Sequence, residues 1–405
     1  MTAEIAILNR SAVALAADSA VTVGEKVYNS AIKILPLSHK QPIGIMIYNT
    51  STFMGIPWET IIKTYRKQLA DMCFDYVQDY CEDFISYLRS GIVPVALQKN
   101  RLSFTALNLL QDILNNYENN ETKMANEETI SDYITNSLNH LIDNWEISPY
   151  CSSDELQLFC VENEDQLNET INIIFNGYQL TEDDRLNLRM IVSVYLYTDN
   201  FSYEEYTGVV ITGFGNEEIF PALYSYTVGL VFGDRLKIQN NKSVNIDGIT
   251  TNSSVVPFAQ QDVVYRYLLG FAPDLQQFSR NHLVDLLEHY NQLIRDRYNI
   301  ENDDNFLFEL KNRAVDAFYE GISEYQKESY INPMHEIIMN LPHNELGNFA
   351  ETLVNLSSFK KKVSKEQETV GGPIDVAVIT KGDGLIWLKR KHYFEKSINH
   401  QYFKR

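Results

Sequence analysis

Met1-Thr2-Ala3-Glu4-Ile5-Ala6-Ile7-Leu8-Asn9-Arg10-Ser11-Ala12-Val13-Ala14-Leu15-Ala16-Ala17-Asp18-Ser19 opens the chain and carries its most informative pattern. Two apolar runs, Ala3 to Leu8 and Ala12 to Ala17, flank the polar corner Asn9-Arg10-Ser11, and the second run ends on a carboxylate. Runs of that length around a polar corner predict two strands of a buried hairpin. A strand that starts at Thr2 holds the terminus in a sheet instead of leaving it to fray. Removal of Met1 ahead of so small a residue leaves Thr2 with both a hydroxyl and a free α-amine. An α-amine of ordinary pKa, about 7.7–8.0, is partly neutral near pH 7 and can serve as the base for its own hydroxyl. Threonine is common at position two, so its weight here comes from residues further along.

Those residues are Asp18, Gly24 and Lys33. With them the stretch resembles the proteasome β-subunit family, including the bacterial ring protease of the same fold, whose members are N-terminal-nucleophile hydrolases. Members open on Thr and a hydrophobic strand, end a second strand on Ala-Ala-Asp-Ser or Ala-Gly-Asp-Gly, and carry a Lys before the third strand. The resemblance implies that Thr2 attacks the scissile carbonyl, that its amine takes the proton, and that Asp18 and Lys33 pair to tune that amine. A neighbouring ammonium disfavours protonation of the amine, and a carboxylate holds the ammonium in place.

Distant segments extend the resemblance to roughly half the chain. Gly208 to Gly215 followed by Phe220-Pro221-Ala222-Leu223-Tyr224-Ser225-Tyr226 is similar to the family's central hairpin. Thr369-Val370-Gly371-Gly372-Pro373-Ile374-Asp375-Val376-Ala377-Val378-Ile379, with Asp383-Gly384 after it, is similar to the family's Gly-Gly strand and its turn. Asp-Gly between two apolar runs is also a hairpin signal on its own physics.

The chain departs from the family pattern in several places. Lys33 takes the lysine role only with a one-residue deletion, since an ungapped count falls on Ile34. The oxyanion position is Tyr48 where the family has Gly; its backbone N–H can still donate. Ser254 takes one supporting serine, while Gln367 and Val370 stand where an Asp and a second Ser are usual, with Glu366 or Glu368 as substitutes for the Asp. The family's substrate pocket transfers to Val21, Ile32, Met46 and Thr50, an apolar lining.

The fold implied is α+β, a four-layer α/β/β/α sandwich of two antiparallel sheets. At 405 residues the chain is about twice a minimal family member, with no Pro/Gly/Ser-rich linker. The expectation is therefore one domain, 1–405, with its core over about 2–80, 205–270 and 343–396 and helical insertions over about 81–204 and 274–342. Trp58, Ile61, Ile62, Tyr65, Leu69, Cys73, Tyr76 and Val77 recur at helical spacing and predict a long helix after the early strands. Asn176-Gly177 marks a short hairpin inside the first insertion. Pro257 to Leu269, and Leu346, Phe349, Leu353, Leu356 and Phe359, predict a second helix pair.

A net charge of −20 and a pI near 4.8 argue against nucleic acid, whose phosphates need a basic footprint. Lys360, Lys361, Lys362 and Lys365 are expected to complement a helix C-terminus, and Lys389-Arg390-Lys391-His392 to form a solvated tail. No apolar run reaches membrane-spanning length, and Ser11 to Ala17 is too short for a signal core, with Glu4 where a positive charge belongs. Cys73, Cys81, Cys151 and Cys160 form no Cys-x-x-Cys pair; free thiols fit a cytoplasmic protein. No phosphate loop, serine elbow, zinc helix or calcium loop is present, so neither metal nor cofactor is expected. The expected activity is hydrolysis of peptide bonds through Thr2. The alternatives are an inactive scaffold of the same fold, or an amidase for a small amide. Expected partners are a peptide or protein substrate and other copies of the chain, as a ring or a dimer; the resemblance leaves room for an unfoldase.

Overall fold

The computed structural model describes residues 3–23, 26–119, 129–144, 152–259, 261–298, 304–364, 371–392 and 394–399. Thr2, Gly24, Cys151, Lys365, Glu366, Gln367, Glu368 and Val370 lie outside the described residues. The strands are β1 Glu4–Asn9, β2 Ala12–Ala17, β3 Val21–Val23, β4 Lys26–Tyr28, β5 Ile34–Pro36, β6 Ile43–Asn49, β7 Thr52–Phe53, β8 Ile56–Pro57, β9 Thr207–Gly213, β10 Ala222–Phe232, β11 Arg235–Asn245, β12 Ser253–Pro257, β13 Asp375–Thr380 and β14 Gly384–Lys389. The helices are α1 Trp58–Leu69, α2 Val77–Arg89, α3 Val95–Glu118, α4 Ile130–Asn144, α5 Ser153–Glu162, α6 Glu164–Ile174, α7 Glu182–Leu196, α8 Gln261–Leu269, α9 Pro273–Tyr298, α10 Asp304–Gln326, α11 Asn332–Met339 and α12 His343–Val363. The chain is thus α+β with two antiparallel sheets. It divides into two compact units: 1–48, 212–222 and 244–405 form the first, and 49–211 with 223–243 the second.

In the first unit a five-stranded sheet runs in the order β12-β1-β2-β13-β14. All its described pairings are antiparallel. The β1–β2 corner closes on Asn9, whose Oδ1 accepts the N–H groups of Ser11 and Ala12, both at 3.0 Å. That side chain turns the chain where a two-residue gap leaves no room for a wider loop. Because strand side chains alternate, the sheet has two distinct faces. Ala3, Ile5 and Ile7 of the first strand segment, Ala12, Ala14 and Ala16 of β2, and Val376 and Val378 of β13 meet α8, α11 and α12 through Val264, Leu268, Ile338, Leu346, Ala350 and Leu353. The opposite face carries Leu15 and Ile379 and meets β6, which is paired antiparallel with β5. Gly44 of β6 is the point of closest approach: a Cβ there would lie 2.7 Å from Ile379 Cδ1 and 3.5 Å from Leu15 Cδ1. The first unit is therefore layered as helices, sheet and strand ladder.

In the second unit β9, β10 and β11 are neighbours in that order. Helices α3 to α7 close a separate core around Leu102, Leu109, Leu110, Phe159, Leu167, Leu188 and Val192. The helix expected to run from Trp58 through Val77 is two. It stops after Leu69 because Ala70 takes φ 48°, a left-handed conformation that cannot continue an α-helix. Cys73 is consequently exposed in a loop before α2. Asn176-Gly177 is a turn between α6 and α7, with Gly177 at φ 102°, and no hairpin. The helical signal of the segments on either side dominates the two-residue turn signal there.

Candidate active site

The site forms where three strands of the first unit end side by side. Ala17, the last residue of β2, lies opposite Glu4 on β1 and opposite Asp375 on β13. Directly opposed residues in antiparallel strands point to the same face, so Glu4, Ala17 and Asp375 form a row across the sheet. The row lies on the face away from the helices, with the small alanine between two acids. Asp18 follows at once, fixed by its own N–H to the Ala3 carbonyl at 3.1 Å.

Asp18 is 1 % exposed and its carboxylate accepts from four donors. Oδ1 takes Lys33 Nζ at 2.5 Å and the Ala3 N–H at 3.1 Å. Oδ2 takes the Gly371 N–H at 2.9 Å and the Ala20 N–H at 3.3 Å. A buried carboxylate with this many donors has its acceptor sites filled by protein groups in place of water. The Gly371-Gly372-Pro373 segment wraps the same corner. The Ser19 N–H donates to the Gly371 carbonyl at 3.1 Å, and Ser19 Oγ donates to the Pro373 carbonyl. Gly372 has φ 78°, and a Cβ on it would come 2.7 Å from Asn29 Cβ, so this turn requires glycine.

Lys33 precedes β5 and is almost fully buried. Its carbonyl accepts the Ile47 N–H at 2.9 Å, which fixes the lysine backbone to β6. The ammonium lies 2.5 Å from Asp18 Oδ1 and 4.0 Å from Glu4 Oε1. Glu4 is 2 % exposed, and neither of its carboxyl oxygens has a hydrogen-bond partner among the described residues. Burial pushes the Glu4 carboxyl well above the usual carboxylate range, against the pull of Lys33. On the other side of the row, Asp375 accepts the Lys391 N–H at 2.8 Å and the Lys391 ammonium. Burial lowers the pKa of Lys391, and Asp375 opposes that fall.

Asp18 and Lys33 therefore come together, whereas the other predicted residues are spread out. Ser254 pairs with Leu8, four positions along β1 from Glu4, which is about 13 Å at strand rise. It does not join the cluster; the end of β12 nearest Glu4 is Pro257, and the following Phe258 donates its N–H to the Glu4 carbonyl at 3.0 Å. Next to Ser254, Ser253 Oγ lies 2.7 Å from His335 Nδ1 at an open pocket of about 430 Å³. Tyr48 stacks its ring on Phe258, with centroids 5.6 Å apart. Met46 is wholly enclosed and so is not the wall of an open pocket; on β6 it shares the face of Gly44, turned to the sheet. Val21 and Ile32 are half-buried. Thr50, in the second unit, donates through Oγ1 to the Tyr206 carbonyl at 2.6 Å.

Three members of the cluster, Glu4, Asp375 and Lys391, were not among the predicted site residues. Glu4 had a signal: a charge inside an otherwise apolar strand has to find a partner or lose its charge. Lys391 had none, and its expected place in a solvated tail is corrected by its ion pair with Asp375, its side chain only 11 % exposed. The lysines of α12 do lie in its last turn, where Lys360 pairs with Asp262 and Lys361 is buried.

No family model matches the chain, and no curated protein matches it. Among solved structures, Anbu (ancestral beta-subunit) from Yersinia bercovieri is similar over 99% of this chain and 93% of that one, at 10% identity and a TM-score of 0.29. A likeness of that depth carries no argument about fold or function. No described helix is long and apolar enough to cross a membrane.

Proposed function

We propose that the chain is a threonine N-terminal-nucleophile hydrolase that cleaves peptide bonds through Thr2. The observation that supports it most is the double role of Asp18 Oδ1, which takes both the Lys33 ammonium and the N–H of Ala3, the residue bonded to Thr2. Thr2 precedes Ala3 by one peptide bond, so this ion pair is the charge assigned to tune its amine. A nearby ammonium disfavours protonation of an amine and keeps it available as a base.

Thr2 Oγ attacks the carbonyl carbon while its proton passes to the α-amine. The C–N bond then breaks and the leaving amine takes that proton, which leaves an ester on Thr2. Water gives a proton to the freed α-amine and attacks the ester carbon; the C–Oγ bond breaks, the amine returns that proton to Thr2 Oγ, and the carboxylic acid is released. The Tyr48 backbone N–H is the donor assigned to the oxyanion. Self-association into a ring or a dimer is part of the same proposal.

Intact-mass measurement with and without a peptide boronate or epoxyketone tests it. The expected result is a chain lacking Met1 that gains one adduct, and a Thr2→Ala variant that gains none and loses peptide cleavage. Retained Met1, or unchanged turnover in Thr2→Ala, would overturn it.

A further inference from the structure

Five ionisable side chains converge at the end of the sheet, and the chemistry assigned to Thr2 uses only two of them. Lys33 is bonded to Asp18, and Lys391 to Asp375, so two ammoniums balance two carboxylates. Glu4 is the fifth. Its side chain is fully enclosed, it lies beside Ala17 in the same row as Asp375, and its nearest cation among the described residues is Lys33 at 4.0 Å. The described charged groups that act on it are Lys33, Asp18 and Lys391. A lone ionised carboxylate in that setting would leave the cluster with one uncompensated negative charge out of contact with water, which is costly.

We propose that Glu4 is a positioning residue for the Thr2 amine: its carboxyl is the second partner of Lys33, and by gaining or losing a proton it sets the pH at which that amine becomes a base. The inference rests on the Thr2 hydrolase proposed above. With Glu4 protonated the two ammoniums are matched by two carboxylates, and Lys33 is held by Asp18 alone. With Glu4 ionised, Lys33 is shared between two carboxylates and the local potential turns negative, which favours the protonated amine. The amine and Glu4 therefore titrate as a coupled pair, in two macroscopic steps that belong to the pair. The desolvated state of Glu4 supplies the range: it holds its proton well above the usual carboxylate value.

Glu4→Gln keeps the size and removes the titration. Two measurements decide. The first is the infrared C=O stretch of a protonated carboxyl group, which reads the Glu4 proton without reference to catalysis. A band that persists in the native chain above the pH at which an ordinary carboxyl has ionised, is absent from Glu4→Gln, and is lost as pH rises further is expected; spectra that do not differ between the two overturn the proposal. The second is the pH dependence of modification of the chain's α-amine by an acylating reagent, located by peptide mass. The native profile is expected to need two ionisations and Glu4→Gln only one: the two coincide where Glu4 holds its proton, and the variant reacts several-fold faster where native Glu4 has lost it. Superimposable profiles overturn the proposal even where the carboxyl band is present. Neither readout needs turnover, so failure of the hydrolase assignment, seen as an unlabelled hydroxyl, is separable from failure of this one. Glu4→Asp, which restores the acid on a shorter arm, is expected to return the second ionisation.

Discussion

At the scale of single residues, the decisive fact is that one carboxylate, Asp18, links the start of the chain to Lys33 and to Gly371. Asp18 and Lys33 were legible as a pair because the resemblance supplied their roles. Glu4 was legible only as an anomaly in an apolar strand, since nothing near it in sequence names its partner. Its burial has a consequence for stability. In the unfolded chain Glu4 loses its proton near the ordinary value of 4.5, whereas in the fold it keeps it to much higher pH. Over that window the native state binds more protons than the unfolded state, so stability falls as pH rises from about 4.5 toward the folded value. Thermal unfolding of Glu4→Gln should lack this fall. The difference in midpoint between variant and native chain is expected to grow in the variant's favour as pH increases, and a constant difference would rule the effect out.

At the scale of elements, the hairpin β1–β2 and the paired strands β13 and β14 follow from apolar runs, polar corners and the Gly384 turn at φ 71°. Period and turn chemistry are local properties, and they survived folding here. The helix after β8 did not survive as drawn, because its stripe ran across a break that depends on one backbone torsion at Ala70. Gly44 shows what a pattern of hydrophobicity does not contain, namely how closely two layers approach. A side chain there would press β6 against Ile379 and Leu385, at 2.7 and 3.1 Å from its first carbon. Gly44→Val is therefore expected to destabilise the chain by about 1–3 kcal/mol, the usual cost of overpacking. Denaturant unfolding would measure it, and a neutral result would mean that the layers can part without loss.

At the scale of the whole molecule, each unit has a core of its own among the described residues, and the cluster of Glu4, Asp18, Lys33, Asp375 and Lys391 belongs to the first. Leu109 lies in the helical core of the second unit and is 1 % exposed. Leu109→Ala is expected to cost about 2–5 kcal/mol. Hydrogen exchange should show the lost protection first in α3 to α7, while β1, β2 and β13 keep theirs; equal loss in both would mean that the two cores unfold as one. The sequence by itself determined β1, β2, β13 and β14 of the first sheet, the helical character of the long segments between them, and the acid and lysine at the end of the hairpin, whereas Pro257, expected to open a helix, ends β12. These are encoded in contiguous residues, through side-chain period and turn chemistry. Tertiary structure alone decided that Ser254 stands opposite Leu8 rather than beside Lys33, and that Glu4, Asp375 and Lys391 meet around Ala17. Such convergence depends on the register between strands hundreds of residues apart, and a shift of one residue would turn every one of those side chains to the other face.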